Sequence, residues 1–99
     1  MTKVMVLQRK PGTQVSYSQQ RMVPSVRELI EEFHTVAAFE THCVGEDAAE
    51  EAFDISNNPN RDDEREQVGW KGFSMSVGDI AIVDGIGYFC ASSGWGKLP

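Results

Sequence analysis

Ser74, Ser76, Ser92 and Ser93 are the serines whose setting invites a search for nucleophilic chemistry. A serine nucleophile needs a base, and the only histidines, His34 and His42, stand far upstream with no pattern that brings them close. "SVGD" at 76–79 is no nucleophile elbow, because a strand rather than a helix follows it. Asp79 and Asp84 sit at opposite ends of one short strand, about 15 Å apart at 3.3 Å per residue, too far for a carboxylate dyad. Asp79 is expected to bond neighbouring backbone amides in a turn with Gly78. Cys43 and Cys90 make no C-x-x-C pair and read as small buried hydrophobes. His42 and Cys43 are adjacent, so on a strand their side chains diverge. Asp62, Asp63 and Glu64 resemble a calcium loop in composition only, since the alternating spacing and central glycine are missing. The glycines of "DGIGYFCASSGWG" lack the strand-then-helix context of a phosphate loop. No catalytic, cofactor-binding or metal-ligating residue is therefore assigned, and a non-enzymatic protein is expected.

Ninety-nine residues make one domain, 1–99, with room for one modest core. No apolar run approaches the roughly 20 residues that span a bilayer, and the first residues lack a signal-peptide core, so a soluble intracellular protein is expected. The net charge of −6 is unevenly spread: residues 28–66 hold thirteen acidic side chains against Arg61 and Arg65, a balance of −11. The flanks are thus basic by +5, yet no Lys/Arg cluster exists to displace counterions from phosphates. Direct nucleic-acid binding is not expected. The acidic middle could instead present a DNA-like surface, although a solvated acidic face is the commoner outcome.

The elements that position these groups follow from pattern. "KVMVLQ" (3–8) reads as a strand, and Pro11-Gly12 marks a turn into a polar segment, either loop or weak second strand. "VPSVRELIEEF" (23–33) reads as a helix capped by Ser25 with Glu28 at capping-box spacing, and Val26, Leu29, Ile30 and Phe33 form one apolar stripe. "HTVAAFETHCV" (34–44) fits either a continued helix or a strand. The strand, from about Thr35 to Thr41, is preferred, partly on the resemblance given below. "GEDAAEEAFDISNNPN" (45–60) is the clearest helix, with acidic residues at its positive end, Phe53 as anchor, and Asn57, Asn58 and Pro59 as its stop. Its apolar Ala49, Ala52 and Phe53 face inward, leaving Glu46, Glu50 and Asp54 for solvent or a partner. "RDDEREQ" (61–67) reads as an exposed charged connector.

"GFSMSVGDIAIVDGIGYFC" (72–90) holds two β-rich runs, 80–83 and 86–90, around Asp84-Gly85, a preferred two-residue hairpin turn. Ile80 and Ile82 share a face, and Tyr88 and Cys90 are read as opposing Ile86 and Phe89. Ser74 and Ser76 alternate with Met75 and Val77, so the serines can satisfy loose backbone groups. Gly94-Trp95 is expected to return a largely buried indole over the hairpin, with Trp70 more exposed.

In this stretch the chain resembles the YodL-like family, which shows Ser-x-Ser-Val, a Gly-Asp or Ser-Asp pair, a hairpin, and a closing Gly-aromatic. Gly72, Ser74, Ser76, Val77, Gly78 and Asp79 stand at those positions, and Gly94-Trp95 at the closing pair. "THCVGEDAAEEAFDISNNP" resembles the family's helix ending in Asn. The likeness covers about residues 35–98 and leaves 1–33 outside. It implies a product of phages or other mobile elements, working in the cytoplasm of a host cell, with no established catalytic residue or cofactor. The expected fold is α+β: a small, mostly antiparallel sheet with one or two helices on one face and a C-terminal β-hairpin. The expected function is a non-enzymatic accessory protein that binds and modulates an unknown host protein, as a monomer or small homo-oligomer. The alternative is an acidic nucleic-acid mimic of anti-restriction or anti-CRISPR type.

Overall fold

The structure, a computed structural model, describes residues 1–12 and 22–98. Most of the polar segment expected as loop or weak strand after Pro11-Gly12 lies outside the described residues. The elements run β1 (Thr2–Arg9), α1 (Val26–Glu32), β2 (Phe33–Thr41), α2 (Glu46–Asn57), a 3₁₀ turn (Pro59–Arg61), α3 (Asp62–Gln67), β3 (Ile80–Val83), β4 (Ile86–Cys90) and β5 (Trp95–Lys97). The five strands form one antiparallel sheet in the order β2-β1-β3-β4-β5. This is the α+β fold that the pattern predicts, and the ambiguous 34–44 segment is a strand through Thr41.

β1 sits inside the sheet, and strict alternation decides which of its side chains are buried. Thr2, Val4, Val6 and Gln8 are buried, whereas Met1, Lys3 and Met5 are exposed. The register carries this division across the sheet: Val4 and Val6 stand beside Val83 and Ala81, and Ala81 beside Tyr88. On this face α2 lays Ala48, Ala49 and Ala52, each fully buried, against those strands, with Met75 completing the core. Small side chains let the helix approach the sheet closely, and half-buried Phe53 packs at the margin. The second face holds a smaller cluster of Phe33, Ile80 and Phe89, against which Leu7, Leu29 of α1, Ile82 and Leu98 pack. Leu98 fills the space over Gly87, where any Cβ would clash with it. Ile86 shares a face with Tyr88 and Cys90, while Gly87 and Phe89 take the other, which corrects the expected alternation on that strand.

Two further expectations need correction. The α1 capping box is present, Ser25 and Glu28 bonding reciprocally, but the stripe is only half used. Phe33 is buried and Leu29 half-buried, while Val26 and Ile30 stay exposed, because a seven-residue helix rests on β2 by its C-terminal end. The connector 61–67 is also not a loop. Asn58 caps the 3₁₀ turn through Asn60 N–H, Pro59 opens it, and Asp62, Asp63 and Glu64 supply negative charge to the first turn of α3. Mixed charge suits a short solvated helix as well as an irregular chain.

β2 carries a bulge. Val6 opposes Ala37 and Leu7 opposes Thr35, so Val36 is the extra residue, and its carbonyl accepts the Lys71 N–H at 2.8 Å. The β3–β4 hairpin turns on Asp84 and Gly85, both at positive φ (47° and 83°), as a tight hairpin of this twist demands. Asp84 also ties the turn to β1: its Oδ1 accepts the Lys3 N–H, and its own N–H donates to Lys3 O, each at 2.9 Å. A side chain at Gly85 would meet open space, so strain alone sets the cost of substitution. Gly85→Val is expected to lose about 1–2 kcal/mol or more, read as a lower melting temperature with unchanged fold. An unchanged melting temperature would refute the turn geometry.

Candidate functional site

Residues 72–79, the stretch with the family-like residues, form no helix or strand, yet they cross the end of the core between α3 and β3. Buried backbone groups outside regular structure must find other partners. Here side chains supply them. Gln8, 6% exposed, sits on the buried parity of β1. Its Oε1 accepts Phe73 N–H at 3.1 Å and its Nε2 donates to Phe73 O at 2.8 Å, a two-way amide clasp. Trp70 Nε1 donates to the same carbonyl at 2.8 Å. Arg65 donates to Gly72 O and to the Ser74 hydroxyl. Ser74 Oγ in turn donates to Ser56 O at 2.8 Å, at the C-terminal end of α2 where carbonyls lack helical donors. Ser56 Oγ accepts Met75 N–H, and Asn57 Nδ2 donates to Met75 O, each at 2.9 Å. The strap closes with Asp79 Oδ2 accepting Ser76 N–H at 3.0 Å, the local turn expected of it.

This arrangement sorts the predicted motif residues. Gly72 is required because a Cβ there would collide with Gln8 Oε1 and with the Val36 side chain. Ser74 does bond a loose carbonyl, whereas Ser76 is exposed and contributes its backbone N–H. Val77 is half-buried, and Gly78, at φ 97°, donates its N–H to Cys90 O at 2.9 Å. Gln8, Ser56 and Arg65 were not singled out from sequence. One signal for Gln8 was available: a polar residue in step with Val4 and Val6 on a half-buried strand.

Asp79 is the chemically perturbed group. Burial pushes its carboxyl up to about 6, against the opposing pull of the Ser76 N–H, the Gln8 amide and the Arg9 charge. Gln8 Nε2 donates to Asp79 Oδ2 at 3.0 Å. A notch of about 150 Å³ lies beside these groups, lined by Gln8, Arg9, Phe73 and the strap. Arg9 is committed elsewhere, to Glu32 at 2.9 Å, Glu28 at 3.6 Å and the Phe33 ring at 4.7 Å. Burial, with Asp79 and Glu50 nearby, pushes the Cys90 thiol up to about 11, so it stays protonated and inert. Cys43 is half-buried and donates to Glu51 at 3.4 Å, and His42 is exposed. Among the described residues no group of three His, Cys, Asp or Glu side chains is placed to hold a metal.

Gly94, at φ 82°, turns the chain so that Trp95 lies against α2, where its ring meets Phe53 edge-on at 6.5 Å and Nε1 donates to Glu50 at 2.8 Å. Trp95 is half-buried, as is Trp70, so the expected contrast between them is absent. The half-buried indole packs on the margin of the main core and bridges β5 to the helix. The acidic face is likewise partly used within the fold. Arg61 gathers Glu51, Asp54 at 2.8 Å and Glu64 at 2.6 Å, and these partners hold its guanidinium still more firmly protonated. The Glu64 carboxyl is lowered by the same contact. Of Glu46, Glu50 and Asp54, only Glu46 is left without an intramolecular bond among the described residues.

Two surfaces remain unexplained by folding. Phe73 projects its ring 83% exposed from a backbone that Gln8 and Trp70 hold fixed. On the second sheet face, beyond the reach of α1 and Leu98, a hollow of about 820 Å³ opens over Met5, Ala38 and Ile82, rimmed by Lys3, Glu40 and Asp84. Apolar floors with charged rims are the anatomy of protein-binding surfaces.

Two outcomes test the strap. Asp79 has a folded-state pKa above its ordinary 3.8, so its contribution to stability is full below pH 4 and is lost as pH rises through about 6. Asp79→Asn keeps an acceptor for Ser76 and Gln8 without the buried charge. The variant should match the parent near pH 4 and exceed it in stability by on the order of 1–3 kcal/mol at pH 7. A difference independent of pH in chemical denaturation would contradict this. Gly72→Ala should destabilise by about 1–3 kcal/mol, because Gln8 must leave its buried partners. A melting temperature equal to the parent's would refute the clasp.

No protein-family model, no curated protein and no solved structure matches this chain.

Proposed function

We propose that this chain is a small accessory protein of a phage or other mobile element that binds and modulates a host protein in the host cytoplasm, without catalysis of its own. The observation that carries this reading is the hollow on the second sheet face. Met5 there is 42% exposed in the middle of the sheet, whereas Leu7, the next side chain of β1 on that face, is half-buried against the Phe33, Ile80 and Phe89 cluster. An apolar floor on rigid strands, with both signs of charge at its rim, suits a partner that docks by burial of apolar surface and is oriented by polar contacts. The reading agrees with Ser74 and Asp79 each bonding the fold's own groups and with Cys90 lying buried in the sheet. It agrees also with the resemblance to the YodL-like family, which implies no catalytic residue. Among the described residues no helix is long and apolar enough to cross a membrane.

The acidic-mimic reading competes for the same observations with a different surface. The two separate by mutation and by salt. A host partner is captured from lysate on the tagged protein, identified, and its affinity measured against variants. Met5→Glu is expected to weaken binding at least tenfold, about 1.4 kcal/mol, and binding should change little between low and high ionic strength. The triple change Glu46→Gln, Glu50→Gln and Asp54→Asn should leave affinity within a few-fold. If the triple change costs tenfold while Met5→Glu costs nothing, and salt abolishes binding, the mimic reading replaces this one.

A further inference from the structure

The exposed ring and the hollow have complementary chemistry on one molecule. Phe73 stands on a strap whose backbone donor and acceptor are both bonded, so seating its ring in a partner orders almost nothing new. Beside it stand exposed Lys71 and half-buried Arg65; neither is in an ion pair among the described residues, but the Arg65 guanidinium is bonded to Ser56 O, Gly72 O and the Ser74 hydroxyl, so Lys71 is the charge turned outward. The hollow offers the converse: an apolar floor of Met5, Ala38 and Ile82, with Glu40 and Asp84 on its rim. Neither rim carboxylate is in an ion pair among the described residues. Asp84 accepts only the Lys3 backbone N–H, and Lys3 places one positive charge on the same rim. The rim is thus acidic on balance, and Lys71 sets a positive charge beside the Phe73 ring.

We propose that this chain self-associates head to tail, the Phe73 ring of one copy seated in the sheet hollow of the next. The ring is attached beside Gln8, near the end of β1, while the hollow lies around Met5 nearer its start, so knob and socket are different patches. Such a contact is heterologous: each copy gives a knob and receives one, closing as a pair or ring or continuing as a chain. One aromatic anchor buries roughly 150–200 Å², well under a standard interface, so a single contact is weak. The socket is the surface proposed above for a host protein, so self-association and host capture would exclude each other. The self-contact does not depend on that reading, and it is measured with no host component present.

The experiment is analytical ultracentrifugation of the purified protein from about 10 µM to 1 mM, a range set by the expected weak contact. The average mass should rise above the 11.0 kDa of one chain as concentration increases. Phe73→Ala removes the knob and Ala38→Glu blocks the socket. Both positions are exposed, so both variants should fold, as circular dichroism will verify. Each variant alone should stay monomeric over this range. Mixed one to one, they should pair again, because the intact knob of Ala38→Glu meets the intact socket of Phe73→Ala. A parent that is monomeric at every concentration overturns the proposal. So does association that survives Phe73→Ala, or a mixture that remains monomeric.

Discussion

The constraint on which this structure rests is the need to satisfy the backbone of residues 72–79. That segment links α3 to the hairpin and has no strand or helix to take up its N–H and C=O groups. It carries Met75, only 1% exposed, into the main core, so water cannot do the work. Six side chains do it instead: Gln8 from β1, Ser56 and Asn57 from the end of α2, Arg65 from α3, Trp70 just before the strap and Asp79 from the strap itself. One short segment thereby fastens the first strand, the main helix and the C-terminal hairpin to one another. Removing Ser56 Oγ leaves the buried Met75 N–H orphaned, which costs more than a typical net hydrogen bond contributes.

The residues of the Ser-x-Ser-Val-Gly-Asp stretch take their meaning from this task. Gly72 leaves room for the Gln8 amide, Ser74 links α2 to Arg65, Gly78 supplies a positive φ, and the Asp79 carboxylate closes the turn. The Asp79 carboxyl is perturbed chiefly by its burial there. A raised pKa in a notch is often a hint of catalysis. Here the notch holds about 150 Å³, and Arg9 at its edge bonds Glu28 and Glu32 through its terminal nitrogens while its buried Nε has no partner among the described residues.

Much of the fold was legible because it rests on local chemistry. Asp84-Gly85 announces a hairpin through its φ requirement, Ser25 and Glu28 announce a cap, and Ala48 to Phe53 announce a close-packed helix. What stayed hidden depends on distance along the chain. Nothing near Gln8 signals that it clasps Phe73, 65 positions away, or that Ser56 awaits Met75. Periodicity shows which face of α1 is apolar, not how much of it the sheet can cover, so Val26 and Ile30 stay exposed. α3 was missed because charged residues suit an exposed helix as well as a loop. The hollow was hidden for a related reason: Met5, Ala38 and Ile82 come from three strands and share a face only in the folded register.

The strap also gives the surface its character. Because its backbone is fixed, Phe73 is presented rather than loose, and a fixed aromatic is a better anchor than a mobile one. Amide hydrogen exchange resolved by residue tests the central claim most directly. If the side-chain clasps hold the strap, the Phe73, Met75 and Ser76 amides should exchange only through large openings, with protection approaching that of Val4 and Val6 in the centre of the sheet. Exchange of those three amides at the rate of an unstructured chain, while the sheet stays protected, would contradict the account.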